Sequence, residues 1–173
     1  MIKVLYVKDR VEGQKQAHEL LKKLVDEKTL LALSGGTSPD YRQMIVAPGD
    51  ISPGAIMVTD ERYGEPFHKD SNELLLKESG VKDCADGKCI EAHKILTGLG
   101  FTETEKRYED VVEDLFKRFV KRVGVMGIGA DLHTAGIFPR SAAAKSADYI
   151  VAEVVLNQFP KRITTIWITI SFP

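Results

Sequence analysis

VMGIGADLHTAGIFP, Val125 to Pro139, is the stretch from which the chain is read. Val123-Gly124-Val125-Met126 leads in as the end of a buried strand. Gly127 and Gly129 interrupt it and allow a tight turn. Asp131 and His133 follow two apart, just beyond the strand end. In an open α/β sheet, ligands bind in the crevice outside the carboxyl ends of the strands. A neutral imidazole there can take a proton from water or a sugar hydroxyl. A neighbouring carboxylate can fix its tautomer or meet substrate. Taken alone, an Asp-x-His is more often a polar turn. Two further stretches shift that balance.

The first is Ser34-Gly35-Gly36-Thr37-Ser38-Pro39, which follows TLLAL, Thr29 to Leu33. TLLAL is apolar on both faces, as a central parallel strand is. Ser38 reads as an N-cap and Pro39 as the first residue of a helix running to about Val46. A strand, a Gly-Gly loop and a helix start would aim backbone N–H groups and a helix dipole at one spot, favouring an anion. The hydroxyls of Ser34, Thr37 and Ser38 add donors. The loop is neither a Walker loop nor a dinucleotide fingerprint. A plain strand-to-helix turn explains it equally well.

The second is Asp60-Glu61-Arg62, directly after AIMVT, Ala55 to Thr59. Arg62 can grip a phosphate with a fork-shaped contact, and Asp60 or Glu61 can move protons or orient a hydroxyl. The bland alternative is a solvated charge run.

The chain has 173 residues, 24 Lys and Arg against 25 Asp and Glu, and a net charge of −1. This gives no electrostatic footprint for nucleic acid or an anionic membrane. No stretch approaches a transmembrane helix, and MIKVLYVKDR lacks the layout of a secretory signal, so the expected compartment is the cytoplasm. Cys84 and Cys89 fit no common zinc or redox spacing and read as reduced. No metal-ligand cluster or cofactor motif stands out.

The remaining elements alternate. Ile2–Val7 reads as a strand and Arg10–Glu27 as a helix, with His18 partly exposed. Tyr63–Lys69 reads as a loop with His68 in solvent. Asp70 caps a helix that buries Leu74, Leu75 and Leu76. Gly80–Lys88 reads as loop, and His93 finds no partner. Thr102–Glu105 is a capping box opening a helix with Tyr108, Val111, Val112, Leu115, Phe116 and Phe119 on one face. Ala142–Ala147 reads as a short loop or helix, and Tyr149–Leu156 and Ile163–Ile170 as strands, with Pro160-Lys161-Arg162 between them. The pattern predicts one α/β domain over residues 1–173. It would have three αβα layers and a mostly parallel, Rossmann-like sheet.

LALSGGTSP, TDERYGEP followed by HKDSNELLL, and GIGADLHTAGIFP stand in the order and spacing of the 6-phosphogluconolactonase family. That family shares a superfamily with glucosamine-6-phosphate deaminase. The resemblance runs from about Leu31 to Thr165. It implies a fold of the sugar-phosphate isomerase/deaminase type. The implied enzyme is metal-free and belongs to the pentose phosphate pathway, hydrolysing 6-phospho-D-glucono-1,5-lactone. By the same resemblance Ser34, Gly35, Gly36, Thr37, Ser38 and Arg62 hold the phosphate end, with Asn72 as a further substrate contact. His133 is the base for water, and Asp131 and Asp60 hold the imidazole or sugar hydroxyls. A deaminase-like enzyme and a non-catalytic sugar-phosphate binder are the competing expectations. Two departures stand out. The family usually has Gly where this chain has Leu132. It also continues with further strands and a helix, which leads one to expect an open edge near Ile163–Ile170 and a homo-oligomer covering it.

Overall fold

The computed structural model describes residues 4–146, 150–154 and 159–166. Helix α1 spans Arg10–Leu24, and the Asp9 carboxylate at its cap accepts from Glu12 N–H. Strand β1, Thr29–Leu33, is buried at every residue, and so is β2, Ala55–Val58. Side chains alternate between the two faces of a strand, so such a strand is covered on both. Leu21 and Val25 at the end of α1 contribute to that cover. So do Leu76 of α2 (Asn72–Glu78), Val81 and Ala85 of α3 (Val81–Gly87), and Tyr108, Val112 and Leu115 of α4 (Phe101–Arg118). With β4 (Glu91–His93) and β5 (Lys121–Val125), the four strands form a parallel sheet in the order β4-β2-β1-β5. The chain steps outward from β1 to β2 to β4, then returns across the sheet to β5. The switch point lies between β1 and β5, and the Ser34 and Gly127 loops leave the sheet on either side of it.

A second sheet completes the fold. β3 (Asp60–Arg62), β6 (Ile150–Val154) and β7 (Lys161–Thr165) pair antiparallel in the order β3-β7-β6. Thr59 is the joint between the sheets: its N–H bonds Leu33 O at 3.0 Å, and its carbonyl accepts from Thr165 N–H at 2.7 Å. Through Ile163–Thr165 the last strand is therefore flanked on both sides, which corrects the expected open edge there. Residues 167–170 of that call lie outside the described residues.

Several local expectations change for identifiable reasons. No helix starts at Ser38-Pro39. A short π-helical turn spans Arg42–Val46, and Asp40 Oδ1 accepts from Gln43 N–H at 3.1 Å. Upstream, Arg10 takes Thr37 O at 2.6 Å and Gln14 takes Ser38 O at 2.9 Å, so these carbonyls are spent on α1. Ser71, not Asp70, caps α2, and the helix buries Asn72, Glu73 and Leu76 while Leu74 and Leu75 are half-buried. Residues 81–87 are helical rather than loop, entered from Gly80 at φ 86°. His18 is buried, its Nδ1 2.9 Å from Met44 O. His93 meets Glu91 Oε1 at 2.9 Å. Residues 4–7 form no strand, and the rest of the Ile2–Val7 call and the end of Tyr149–Leu156 lie outside the described residues. Among the described residues no helix is long and apolar enough to cross a membrane.

Candidate active site

The three motifs meet in one cleft of about 410 Å³ at the carboxyl ends of β1 and β5. Ser34, Gly35, Gly36, Thr37 and Ser38 form one side, Asp60, Arg62 and Asn72 a second, and His133 a third. Asp131 lies behind His133.

The glycine loop is shaped by two separate requirements. A Cβ on Gly35 would fall 1.8 Å from Asn72 Oδ1, so only glycine lets the loop reach α2. Gly36 has φ +95°, a left-handed conformation that L side chains resist. Ser34 is buried, and its hydroxyl accepts from Gly127 N–H at 3.3 Å, tying the two loops together. Because Arg10 draws Thr37 O outward, the N–H of Ser38 across that trans peptide points the other way. The donors this loop can offer are therefore its own N–H and hydroxyl groups. The expected helix start at Ser38 contributes nothing.

Asp60-Glu61-Arg62 is not a solvated run. Asp60 is 5% exposed and Glu61 fully buried. Glu61 holds the wall together: its Oε1 accepts from Arg62 N–H at 2.7 Å and Asn72 N–H at 2.8 Å, and its Oε2 from Glu73 N–H at 2.8 Å. Burial pushes its carboxyl up to about 8, against the pull of those N–H donors. Arg62 Nη1 donates to Asp70 O at 2.6 Å and Asn72 Oδ1 at 3.3 Å, which fixes the plane of its guanidinium. Phe159 covers that guanidinium at 4.7 Å. Asn72 Nδ2 donates to Asp60 O at 2.7 Å, so this side chain positions the wall as well as lining it. His68, expected in solvent, is half-buried with Nε2 2.9 Å from Arg62 O.

Arg162 was read from sequence only as the lead-in to a strand. It lies directly opposite Arg62 in the β3–β7 register, is 7% exposed and lines the cleft. Its Nη1 is 4.0 Å from Asp60 Oδ2, and Phe138 lies 4.8 Å from its guanidinium. Like charges facing each other across a ladder are unfavourable unless negative charge compensates them. Burial pushes the Asp60 carboxyl up, while Thr59, Arg162 and Arg62 pull it down. No regular pattern in the sequence places a residue opposite a strand 100 positions earlier; only the register reveals it.

His133 is held by its own loop. Its Nδ1 bonds Asp131 Oδ1, and that bond holds the Asp131 carboxyl below its usual range. Its ring stacks on Phe138 at 4.5 Å. A Cβ on Gly129 would lie 2.2 Å from this ring, so Gly129 serves close approach. The turning is done elsewhere: Leu132, Ala135 and Arg140 have φ of 69°, 51° and 69°. Leu132 is 80% exposed and absent from the cleft lining, so it strains the loop without crowding the cleft. With Nδ1 turned to a carboxylate, the neutral ring carries its lone pair on Nε2. Among the described residues no group of three or more His, Cys, Asp or Glu is placed to hold a metal ion.

Fold and cleft define a Rossmann-like α/β protein with a cleft at its sheet switch point, lined by a glycine loop, two arginines and a histidine. The chain belongs to the family of glucosamine-6-phosphate isomerases/6-phosphogluconolactonase, whose model matches residues 11–171. It is similar to a 6-phosphogluconolactonase of Neisseria meningitidis serogroup A, 33% identical over 134 residues, 75% of this chain and 57% of the relative. It is also similar to one from a Nostoc species, 30% identical over 129 residues, 70% of this chain and 53% of the relative. The chain thus spans a little over half the length of these curated relatives. A solved 6-phosphogluconolactonase from Shewanella baltica superposes with a TM-score of 0.72 at 22% identity, covering 92% of this chain and 72% of that one. A monomeric glucosamine-6-phosphate deaminase also superposes with a TM-score of 0.72, at 19% identity, covering 95% of this chain and 76% of that one. These superpositions agree with the mostly parallel α/β sheet.

Proposed function

We propose that this chain hydrolyses 6-phospho-D-glucono-1,5-lactone to 6-phospho-D-gluconate. The observation that carries the reading is that the Asp131–His133 pair and two register-matched arginines share one cleft. The phosphate sits on the Ser34–Ser38 loop between Arg62 and Arg162, which turns the repulsion of that arginine pair into attraction. This places the lactone ring toward His133. A lactone carbonyl is already electrophilic, so the site needs to position water, take its proton and steady the oxyanion. His133 Nε2 takes the proton as the water oxygen bonds C1. When the C1–ring oxygen bond breaks, the imidazolium returns that proton to the leaving oxygen. Asp131 keeps Nδ1 protonated throughout, and Asp60 faces the sugar hydroxyls.

The deaminase-isomerase reading has the equal superposition on a deaminase in its favour, while the curated relatives described above carry the lactonase name. A single assay separates them: purified protein on freshly generated lactone, corrected for spontaneous hydrolysis, beside glucosamine 6-phosphate. Lactone turnover is expected, falling about 10²–10⁴-fold in His133→Asn, the span of one acid–base group. Turnover of the amino sugar alone would establish the second reading. Product binding without turnover of either would make this a sugar-phosphate binder.

A further inference from the structure

Helix α1 contributes no residue to the cleft lining, yet it holds from behind the loop that does. Arg10 Nη2 donates to Thr37 O at 2.6 Å. One turn on, Gln14 makes two bonds with one amide: Nε2 donates to Ser38 O at 2.9 Å and Oε1 accepts from Asp40 N–H at 3.0 Å. Only one orientation of that amide satisfies both. The Thr37–Asp40 segment is thus fixed at three backbone atoms by a helix 24 to 27 positions earlier.

Arg10 is out of place on helix grounds alone. It is the first helical residue, directly after the Asp9 cap, where the helix dipole disfavours a cation. It is also exposed, so burial does not compensate. The bond to Thr37 O is what the side chain gains in that position.

The donor that these bonds leave over is specific. Pro39 has no N–H, and the Asp40 N–H is committed to Gln14. Among the described residues the Ser38 N–H has no backbone acceptor. Across its trans peptide it points opposite to Thr37 O, hence away from α1, and Ser38 lines the cleft. Hydrogen bonds in series polarise one another, so a guanidinium on the carbonyl end of a peptide makes its N–H end a stronger donor. We infer that Arg10 and Gln14 are positioning residues for phosphate, holding the Thr37–Asp40 segment so that the Ser38 N–H meets the phosphate of a sugar phosphate in the cleft. The inference rests on the phosphate seat proposed above.

The test follows the Ser38 amide in 1H–15N spectra of the full chain as 6-phosphogluconate, glucosamine 6-phosphate or gluconate is added. In the parent, the Ser38 amide proton should move downfield saturably with either phosphate ligand and stay in place with gluconate. Arg10→Ala should weaken both phosphate ligands about tenfold and Gln14→Ala about threefold to tenfold, with gluconate unchanged. Arg10→Lys, which returns a charged donor, should stay within about threefold of the parent. In lactone turnover Arg10→Ala should raise KM and leave kcat within about twofold, because the phosphate is held alike in ground and transition states. A tie that only stabilised the fold would lower the urea midpoint and leave all these readouts alone. The inference fails if the Ser38 amide does not respond in the parent, or if Arg10→Ala leaves phosphate affinity within about twofold. It also fails if gluconate weakens equally, or if Arg10→Lys is no better than Arg10→Ala. Absent lactone turnover with the same losses on both phosphate ligands would overturn the lactonase reading and leave this inference standing.

Discussion

The cleft has two walls built on opposite physical terms. The Asp60–Arg62 wall is buried, paired in register with β7, and cross-linked through Glu61 to the first turn of α2. The Gly127–Arg140 wall is a partly exposed loop. It rests on short internal bonds such as Gly129 N–H to His133 O at 2.8 Å and Thr134 Oγ1 to Gly127 O at 3.0 Å. It also keeps non-glycine residues in left-handed backbone at Leu132, Ala135 and Arg140, each at a cost of about 1–2 kcal/mol. Under the proposed function, the contrast separates binding from chemistry. Groups that hold a fixed charge gain from rigidity, because no reorganisation is needed when the anion arrives. The proposed proton-transfer pair, Asp131 and His133, is instead partly exposed, and the strained backbone lies at its neighbours Leu132 and Ala135.

The largest expected effects on binding come from breaking the buried wall. Arg62→Ala and Arg162→Ala should each weaken 6-phosphogluconate binding by roughly 10–100-fold, the worth of one charged hydrogen bond, while unphosphorylated gluconate changes little. Calorimetric titration of both ligands measures this. Equal losses for both would show that the arginines hold the sugar and not the phosphate.

The two walls also differ in how far the sequence disclosed them. Ser34–Ser38, Asp60, Arg62, Asp131 and His133 were legible because each follows an apolar run and strand ends of a parallel sheet converge. Arg162 was not, because its significance comes from facing Arg62 across an antiparallel pair that alternation alone cannot register. Asp60 and Glu61 look solvated in sequence, since three adjacent charges usually are; their burial follows from β3 being covered by β7 and α2. Ser38-Pro39 has the composition of a helix start. It fails because Arg10 and Gln14 hold the carbonyls of Thr37 and Ser38. Residues 81–87 look like loop because glycines bracket them, yet Val81 and Ala85 bury one face of a short helix.

A smaller effect tests the keystone of the rigid wall. Burial raises Glu61 to about 8 in the fold, whereas an exposed Glu titrates near 4.3. The folded state therefore holds a proton that the unfolded chain releases. That contribution is fully present below about pH 4.3 and is lost as pH rises through about 8. Urea unfolding midpoints should fall between about pH 5.5 and 8.5, and Glu61→Gln should flatten the slope even if its overall stability is lower. A parent midpoint that is level or rising over this range would mean that the three N–H donors keep Glu61 ionised throughout.

The smallest expected effect sharpens the other wall. Leu132 holds φ 69° with its side chain 80% exposed, so it bears the cost of left-handed backbone and returns little burial. Glycine removes the clash between Cβ and the neighbouring carbonyl, worth about 1–2 kcal/mol. It also loosens the unfolded chain, which takes back about 0.4–1 kcal/mol. Leu132→Gly should therefore stabilise the protein by about 0.5–1 kcal/mol, read as a higher urea midpoint at unchanged slope. The His133–Asp131 bond and the Gly129 approach do not pass through the Leu132 side chain, so lactone turnover should change less than threefold or so, well short of the loss of an acid–base group. A stability gain with steady turnover would show that the strain at Leu132 is incidental to the chemistry. A gain in stability with a large fall in turnover would show that the strained backbone is what holds His133 in place.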